Sequence, residues 1–312
     1  MRTQFGTTDK TGVMLRNFKL TPSIAYQVSD KWSVGATLAL TYSDAQLAVL
    51  PNTPAIGWFE AKGNCNRANG LGMPGSCAYA INITPKIGAM YKPNQEWTFG
   101  IAYTFKTMLP YSNGRLTRDV LGVGKVNYDV DVSGMKWADD LAVGVAYRPT
   151  KALLVAVKFQ WINWDAAMNN ITLNLKNGDN PLATTGSITL QYNWRDQYVT
   201  AIGATYDLTD RLNIRGGYNF GNNPVPKTTM DPINANIVEH HLNGGFAYWL
   251  DPDVLRFETT FSYAFTNAYT YDSAIYGNNS RLEAGGYQLT FTLSYRPATG
   301  FGFGNTKLTP GG

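Results

Sequence analysis

From Trp32 to Ser43 the chain alternates without a break. Trp32, Val34, Ala36, Leu38, Leu40 and Tyr42 fall on one side, and Ser33, Gly35, Thr37, Ala39, Thr41 and Ser43 on the other. A period of two belongs to a β-strand, whose successive side chains point to opposite faces. One face here meets an apolar medium while the other is small and weakly polar. The same rule holds at Ile87, Ala89 and Tyr91, at Leu153, Val155, Val157, Phe159 and Trp161, and at Tyr287, Leu289, Phe291, Leu293 and Tyr295. Eleven such strands are expected, over 13–28, 32–43, 83–92, 97–109, 126–148, 152–165, 187–206, 211–221, 236–250, 254–270 and 282–296. The sixth could run on to 175.

The connections carry a second rhythm. Short turns around 29–31, 93–96, 149–151, 207–210 and 251–253 alternate with long segments at 44–82, 110–125, 166–186, 222–235 and 271–281. Up-and-down barrels of outer membranes sort their loops in this way, with tight periplasmic turns and long external loops. Aromatic residues collect beside the short turns: Tyr26, Trp32, Tyr91, Trp97, Tyr147, Tyr206, Tyr248, Trp249 and Tyr295. Such rings favour the headgroup zone and form an interfacial girdle. The reading is therefore an all-β, transmembrane, antiparallel up-and-down β-barrel, its apolar face on lipid and its small face around a lumen. Mean hydropathy is only -0.22, and no apolar run approaches the ~18 residues of a membrane helix. A barrel strand needs only to alternate. The net charge of +4 is small and the basic residues are scattered, so no nucleic-acid partner is expected.

Four stretches carry a family likeness. RLNIRGGYNFGNNPVP, residues 211–226, is a strand leaving a short turn that ends in a Gly-rich run and then Pro224, Val225 and Pro226. A further strand, IVEHHLNGGFAYWL (237–250), follows. With YQVSDKWSVGATLALTY and IGAMYKPNQEWTFGIAYTFK (87–106), these resemble the FadL/TodX family of outer-membrane transporters for long-chain fatty acids and other hydrophobic compounds. The resemblance spans nearly all of 13–296. It implies passive uptake through the lumen of a monomeric barrel in a Gram-negative outer membrane, among lipids and lipopolysaccharide, with lateral exit into the bilayer. The alternative is a general diffusion porin for small polar solutes. Family members have fourteen strands, a signal peptide and an N-terminal hatch. Here eleven strands and neither of the other two are visible, so an N-terminally truncated chain, or one begun at an internal Met, is expected; the alternative is a complete chain whose strand number is not eleven. Its residues 1–12 are then an external loop remnant, 13–296 the barrel and 297–312 a periplasmic tail.

Little catalytic chemistry is visible. His240 and His241 are neighbours on a strand and point to opposite faces, and no Ser/His/Asp arrangement is convincing. No enzyme, cofactor or metal site is expected. Cys65 and Cys77 are close together in a Gly/Asn-rich segment. They are candidates for a disulfide in an oxidising compartment, with two free thiols as the alternative. By parity Lys19, Lys86, Lys106, Arg148, Lys158, Arg215, Arg256 and Glu258 face the lumen. A strand tilted by ~45° climbs ~2.3 Å per residue. Lys158 then stands roughly 18 Å above its short turn, and Lys19 and Lys106 roughly 23 Å, in the outer half of the ~25 Å apolar band. A partly desolvated cation there can hold a carboxylate while apolar groups take the tail. Lys19, Lys106 and Lys158 are therefore the candidate head-group partners.

Overall fold

The computed structural model describes residues 12–48, 59–61, 67–68, 74–75, 78–231, 237–252, 254–273 and 276–295. The proposed tail 297–312, residues 1–11 of the proposed loop remnant, and both cysteines lie outside this set. In chain order the strands are β1 (Gly12–Leu20), β2 (Ser23–Gln27), β3 (Trp32–Ala48), β4 (Phe59–Ala61), β5 (Arg67–Ala68), β6 (Pro74–Gly75) and β7 (Ala78–Tyr91). There follow β8 (Trp97–Thr104), β9 (Thr107–Met108), β10 (Tyr111–Val120), β11 (Gly124–Ser133), β12 (Lys136–Trp137), β13 (Asp140–Tyr147) and β14 (Leu153–Ile162). The last are β15 (Asn170–Lys176), β16 (Gly186–Gln191), β17 (Gln197–Asp207), β18 (Leu212–Gly221), β19 (His240–Asp251), β20 (Leu255–Ser273) and β21 (Gly277–Tyr295).

Eleven of the positions form one antiparallel wall, with β1 and β2 counted as a single interrupted strand. Its order is β1/β2, β3, β7, β8, β13, β14, β17, β18, β19, β20, β21. Each strand joins the next through a short turn at one end or a long excursion at the other. Among the described residues β2 pairs only with β3, and β21 only with β20. Both run toward the short-turn end. Their outward residues are the most open of the wall: Ile24 is 73% exposed and Tyr287 80%, against 37% for Val145 between two neighbours.

Burial in the wall is inverted. Val143, Val157, Phe159, Ile202, Ile214, Leu242 and Phe261 all lie exposed on the outer face, in phase with one another across the rungs. A continuous apolar exterior of this extent has one compatible surrounding, lipid. The aromatic belt follows the same logic near the short turns. Trp32 stacks on Tyr91 with ring centroids 4.6 Å apart, and Trp97 on Tyr147 at 4.3 Å. Trp249 departs from the expected girdle. It is out of phase with Leu242, Phe246 and Tyr248, and lies instead under the Arg256 guanidinium, 5.4 Å away.

The buried core lies outside the wall, in a cap made from the long excursions. Strands β10, β11, β15 and β16 form a second antiparallel array. Leu116, Val126, Tyr128, Ile171, Leu173 and Leu175 turn one face of it inward, while Arg115, Asp129, Asp131 and Lys176 line the other in ion pairs. Four sequence expectations change here. The segment 126–148 is not one strand: β11 belongs to the cap, and the chain breaks at Gly134 before β13 joins the wall. Gly134 has φ +86°, and a Cβ there would lie 2.2 Å from the Asn170 carbonyl oxygen, so only glycine makes the turn. Likewise 187–206 divides at Asn193, whose φ is +47°, leaving β16 in the cap and β17 in the wall. The expected loops 110–125 and 166–186 contain β10 and β15. The sixth strand stops at Ile162 and does not run on to 175.

Breaks in three wall positions, β1/β2, β8 and β13, lie level with Leu38 and Pro85 in the unbroken strands β3 and β7. The chain breaks at Thr21 and Pro22, and Leu38 donates to the Pro22 carbonyl (3.1 Å) while facing Pro85 across the ladder. Phe105 N–H donates to Pro85 O (3.1 Å) in the gap between β8 and β9. Residues 138 and 139 separate β12 from β13. Proline supplies no N–H to a ladder, so Pro22 and Pro85 each remove one donor from the sheet along this line.

The two faces predict different tolerances. Ile202→Arg, on the outer face, is expected to lower unfolding free energy in lipid vesicles by about 2–4 kcal/mol. Thr98→Arg, on the inner face, is expected to cost much less. Urea unfolding of the vesicle-bound chain measures both.

Candidate functional site

Successive inner-face residues of the wall are mostly Gly, Ala, Ser and Thr, so the backbone itself lines two depressions. The larger, of about 640 Å³, lies against β2, β3, β7, β8, β13 and β14. Its floor includes Gly35, Gly88, Gly100 and Gly144, and its charged groups are Lys86 and Lys158. No residue lining it is acidic. At Gly88 a Cβ would meet the Ile101 carbonyl oxygen at 3.0 Å, so the strands pack too closely there for a larger residue. The smaller depression, of about 310 Å³, lies on β14, β17, β18, β19 and β20 beside Arg215, Gly203 and Gly217.

The candidate lysines are placed in three different settings. Lys158 lines the larger depression. Its Nζ donates to Gln160 Oε1 (3.0 Å), and Gln160 Nε2 donates to Asp140 Oδ1 (3.0 Å). Lys106 stands 3.5 Å from Asp139, whose carboxylate also accepts from Tyr103 Oη (2.8 Å) and Asn163 Nδ2 (3.3 Å). Lys19 is exposed on the edge strand, opposite the fully buried Thr41. The structure thus joins Lys158 with Lys86 in one cavity and leaves Lys19 and Lys106 elsewhere. Gln160 follows Lys158 by two residues and so shares its face, a signal the sequence carried. The Asp139 partnership crosses the broken line of strands, and no periodicity announces it.

On the opposite wall Glu258 bridges two guanidinium groups. Arg215 Nη1 lies 3.4 Å from Glu258 Oε2, and Arg256 Nε 2.9 Å from Glu258 Oε1. This cation pair therefore has its own counter-ion. His241 faces inward and His240 outward, where His240 contacts Tyr218 and Phe220. The two rings are separated by the strand, as expected.

The external mouth is built around the Pro224, Val225 and Pro226 run. Arg195 N–H donates to Pro224 O (2.9 Å), and Val225 is buried with Tyr192, Trp194, Met230 and Ile237. Glu239 fixes the approach to this run. Its carboxylate accepts from the Asn223 backbone N–H (2.8 Å), Asn267 Nδ2 (2.9 Å) and Tyr269 Oη (3.5 Å). At the outer tip of the cap, Asp179 accepts from both the backbone N–H (3.0 Å) and Nδ2 (2.7 Å) of Asn127. The backbone bond, followed by the side-chain bond, holds the Asp179 pKa below the usual carboxylate value.

Two measurements check the mouth. Glu239→Ala leaves the Asn223 N–H without its acceptor, while Asn267 Nδ2 keeps the Ile237 carbonyl, and is expected to weaken hydrogen-exchange protection around 222–230 by about 1–3 kcal/mol. For Asp179 the folded pKa lies below the unfolded one, so its clasp is complete above the ordinary carboxylate range and is lost as pH falls through the folded value. Protection of the Asn127 amide is expected to fall on acidification below about pH 4, and Asp179→Asn to remove that pH dependence.

Three comparisons bear on this arrangement. The family described as "Outer membrane protein transport protein (OMPP1/FadL/TodX)" matches residues 2–302. No curated protein sequence matches significantly. Among solved structures, the toluene transporter TbuX of Ralstonia pickettii is 20% identical with a TM-score of 0.67, over 95% of this chain and 72% of its own. The toluene transporter TodX of Pseudomonas putida gives 17% and 0.67, over 92% and 72%. A FadL homologue of Pseudomonas aeruginosa gives 16% and 0.67, over 90% and 67%. At these identities the structural likenesses establish the fold.

Proposed function

Because the chain belongs to the OMPP1/FadL/TodX family of outer membrane transport proteins, we propose that it takes up hydrophobic compounds, long-chain fatty acids or hydrocarbons, passively along the inner face of its wall. The observation that carries this reading is the larger depression: about 640 Å³, floored by glycine and alanine, with two amines at its margin. Small side chains leave room for a ligand and present mainly aliphatic hydrogen and backbone to it. The cap supplies the entrance. Its core is already packed, so the route in passes along the mouth held by Glu239, not through the cap interior.

Exit sideways into the bilayer, as the family likeness implies, is supported by the interrupted line through Pro22, Pro85 and Phe105. Leu38 is six residues from the start of β3, which places the line about 14 Å from the short-turn end for a strand climbing ~2.3 Å per residue. That depth is within the apolar band of ~25 Å. A hydrophobic solute leaving there enters hydrocarbon directly. The chemistry is binding and passage, with no bond made or broken.

Reconstituted vesicles test the reading. A labelled long-chain fatty acid or toluene is expected to enter faster than into protein-free vesicles, while sugars produce no swelling. Swelling with sugars and no hydrophobe uptake assigns a general diffusion porin instead.

A further inference from the structure

We infer that the outer tip of the cap is a docking surface for bare liquid hydrocarbon, the surface of an alkane droplet, with Leu121 and Leu182 as the side chains that enter it. This goes beyond the transport reading, since it concerns where the chain meets an apolar phase outside the cell and not how a solute crosses the wall. Leu121 is 75% exposed and Leu182 82%. Among the described residues only Tyr287 and Ile24 are large apolar groups of similar openness, and those two lie on edge strands of the lipid-facing wall. The leucines stand instead on the cap, whose strands turn their apolar residues inward. The register brings both to one end. β10 and β11 close at the rung of Val120 and Gly124, and Leu121 tops that hairpin. β15 ends at Lys176 opposite Asp129. The turn that follows runs on beside β11, where Asp179 N–H donates to Asn127 O (3.2 Å), and it carries Leu182. Val120, Val123 and Ala183 pack against the same core from this end.

Both turns are held in place. Val123 N–H donates to Val120 O (2.9 Å), with Gly122 and Gly124 at φ +78° and +91°. Leu182 N–H donates to Asn180 Oδ1 (2.9 Å), and Gly178 N–H to Thr184 O (2.9 Å). The leucines are thus presented on ordered backbone, and docking has little chain entropy to remove. Charge stands one rung back, where Asp119 registers with Lys125, and Asp179 is bound to Asn127. An apolar apex above a polar collar matches a boundary between oil and water. Three features select the oil. The apex is the end of a hairpin beside a turn, so it projects, and a fluid accepts a projection without a complementary pocket. Two leucines with half-buried valines behind them fall far short of the ~800 Å² per partner of a standard protein interface. Residues 120–124 and 180–183 include no Trp, Tyr, Lys or Arg, the side chains with which a chain takes hold of phospholipid headgroups.

Co-flotation of the full chain in lipid nanodiscs with hexadecane droplets tests this, with protein-free nanodiscs as the baseline. The chain is expected to float with the droplets well above that baseline. Leu121→Asp and Leu182→Asp are each expected to lower droplet affinity at least about tenfold, the effect of losing one buried leucine, and the double variant to return flotation to baseline. Leu121→Met and Leu182→Met keep the apex apolar and are expected to keep binding. The double aspartate variant is expected to retain protection of the Asn127 amide and uptake of a dissolved fatty acid, which separates loss of the contact from loss of fold. Flotation no better than baseline, or undiminished in the double variant, overturns the inference and leaves hydrophobe uptake standing. Equal binding to phosphatidylcholine vesicles overturns it by assigning the apex to a bilayer. Self-association of the nanodiscs without droplets, lost in the same variants, overturns it by assigning the apex to a second copy of the chain.

Discussion

A polypeptide in hydrocarbon has no water to satisfy its N–H and C=O groups, so each must find a partner within the protein. That single requirement organises this molecule. A sheet meets it by pairing strand to strand, and the side chains are then free to match whatever lies on each face. The outer face matches lipid with Val, Ile, Leu and aromatic residues. Because apolar residues point outward there, the inner face can be thinned to glycine and alanine. The resulting space lies along the inner face of the wall. Interior volume here is a consequence of where the hydrophobic residues point.

The same chain switches solvent rules when it leaves the bilayer. In β10, β11, β15 and β16 the apolar residues turn inward, around Leu116, Tyr128, Ile171 and Leu173, because water now lies outside. The changeover is abrupt and is marked by special backbone: Gly134 and Asn193 in left-handed conformations, and Ser43 hydrogen-bonded to Tyr111 (2.7 Å) where β3 meets the cap. The Pro224, Val225 and Pro226 run serves this junction. Its prolines end the wall strand, and Val225 drops into the cap core. A motif that looks like a family signature is thus also a packing device.

Much of the wall was legible in the sequence, for a physical reason. One-sided contact with lipid imposes alternation on every strand, and alternation survives in the letters. The eleven positions, the face of each residue and the short-turn sorting all follow from Trp32 to Tyr42 and its repetitions. The cap was legible only in part. Its strands alternate too, so 126–148 and 187–206 read as continuous, although in the first the apolar parity flips from Val126, Tyr128 and Val130 to Leu141, Val143 and Val145. In 187–206 the parity stays the same, and there the positive-φ Asn193 marks the division, a weak signal in a chain rich in asparagine. The lumen was legible as a face but not as a site. Parity places Lys86, Lys106 and Lys158 inside, yet which of them has a counter-ion depends on contacts across strands such as Lys106 to Asp139.

The stacked pairs Trp32–Tyr91 and Trp97–Tyr147 occupy four consecutive wall strands, β3, β7, β8 and β13. The remaining short turns carry tyrosine on the lipid side, and the indole of Trp249 is turned away from it. Trp and Tyr both favour the headgroup layer, so both flanks are moored there, one by indole and phenol together and the other by phenol alone.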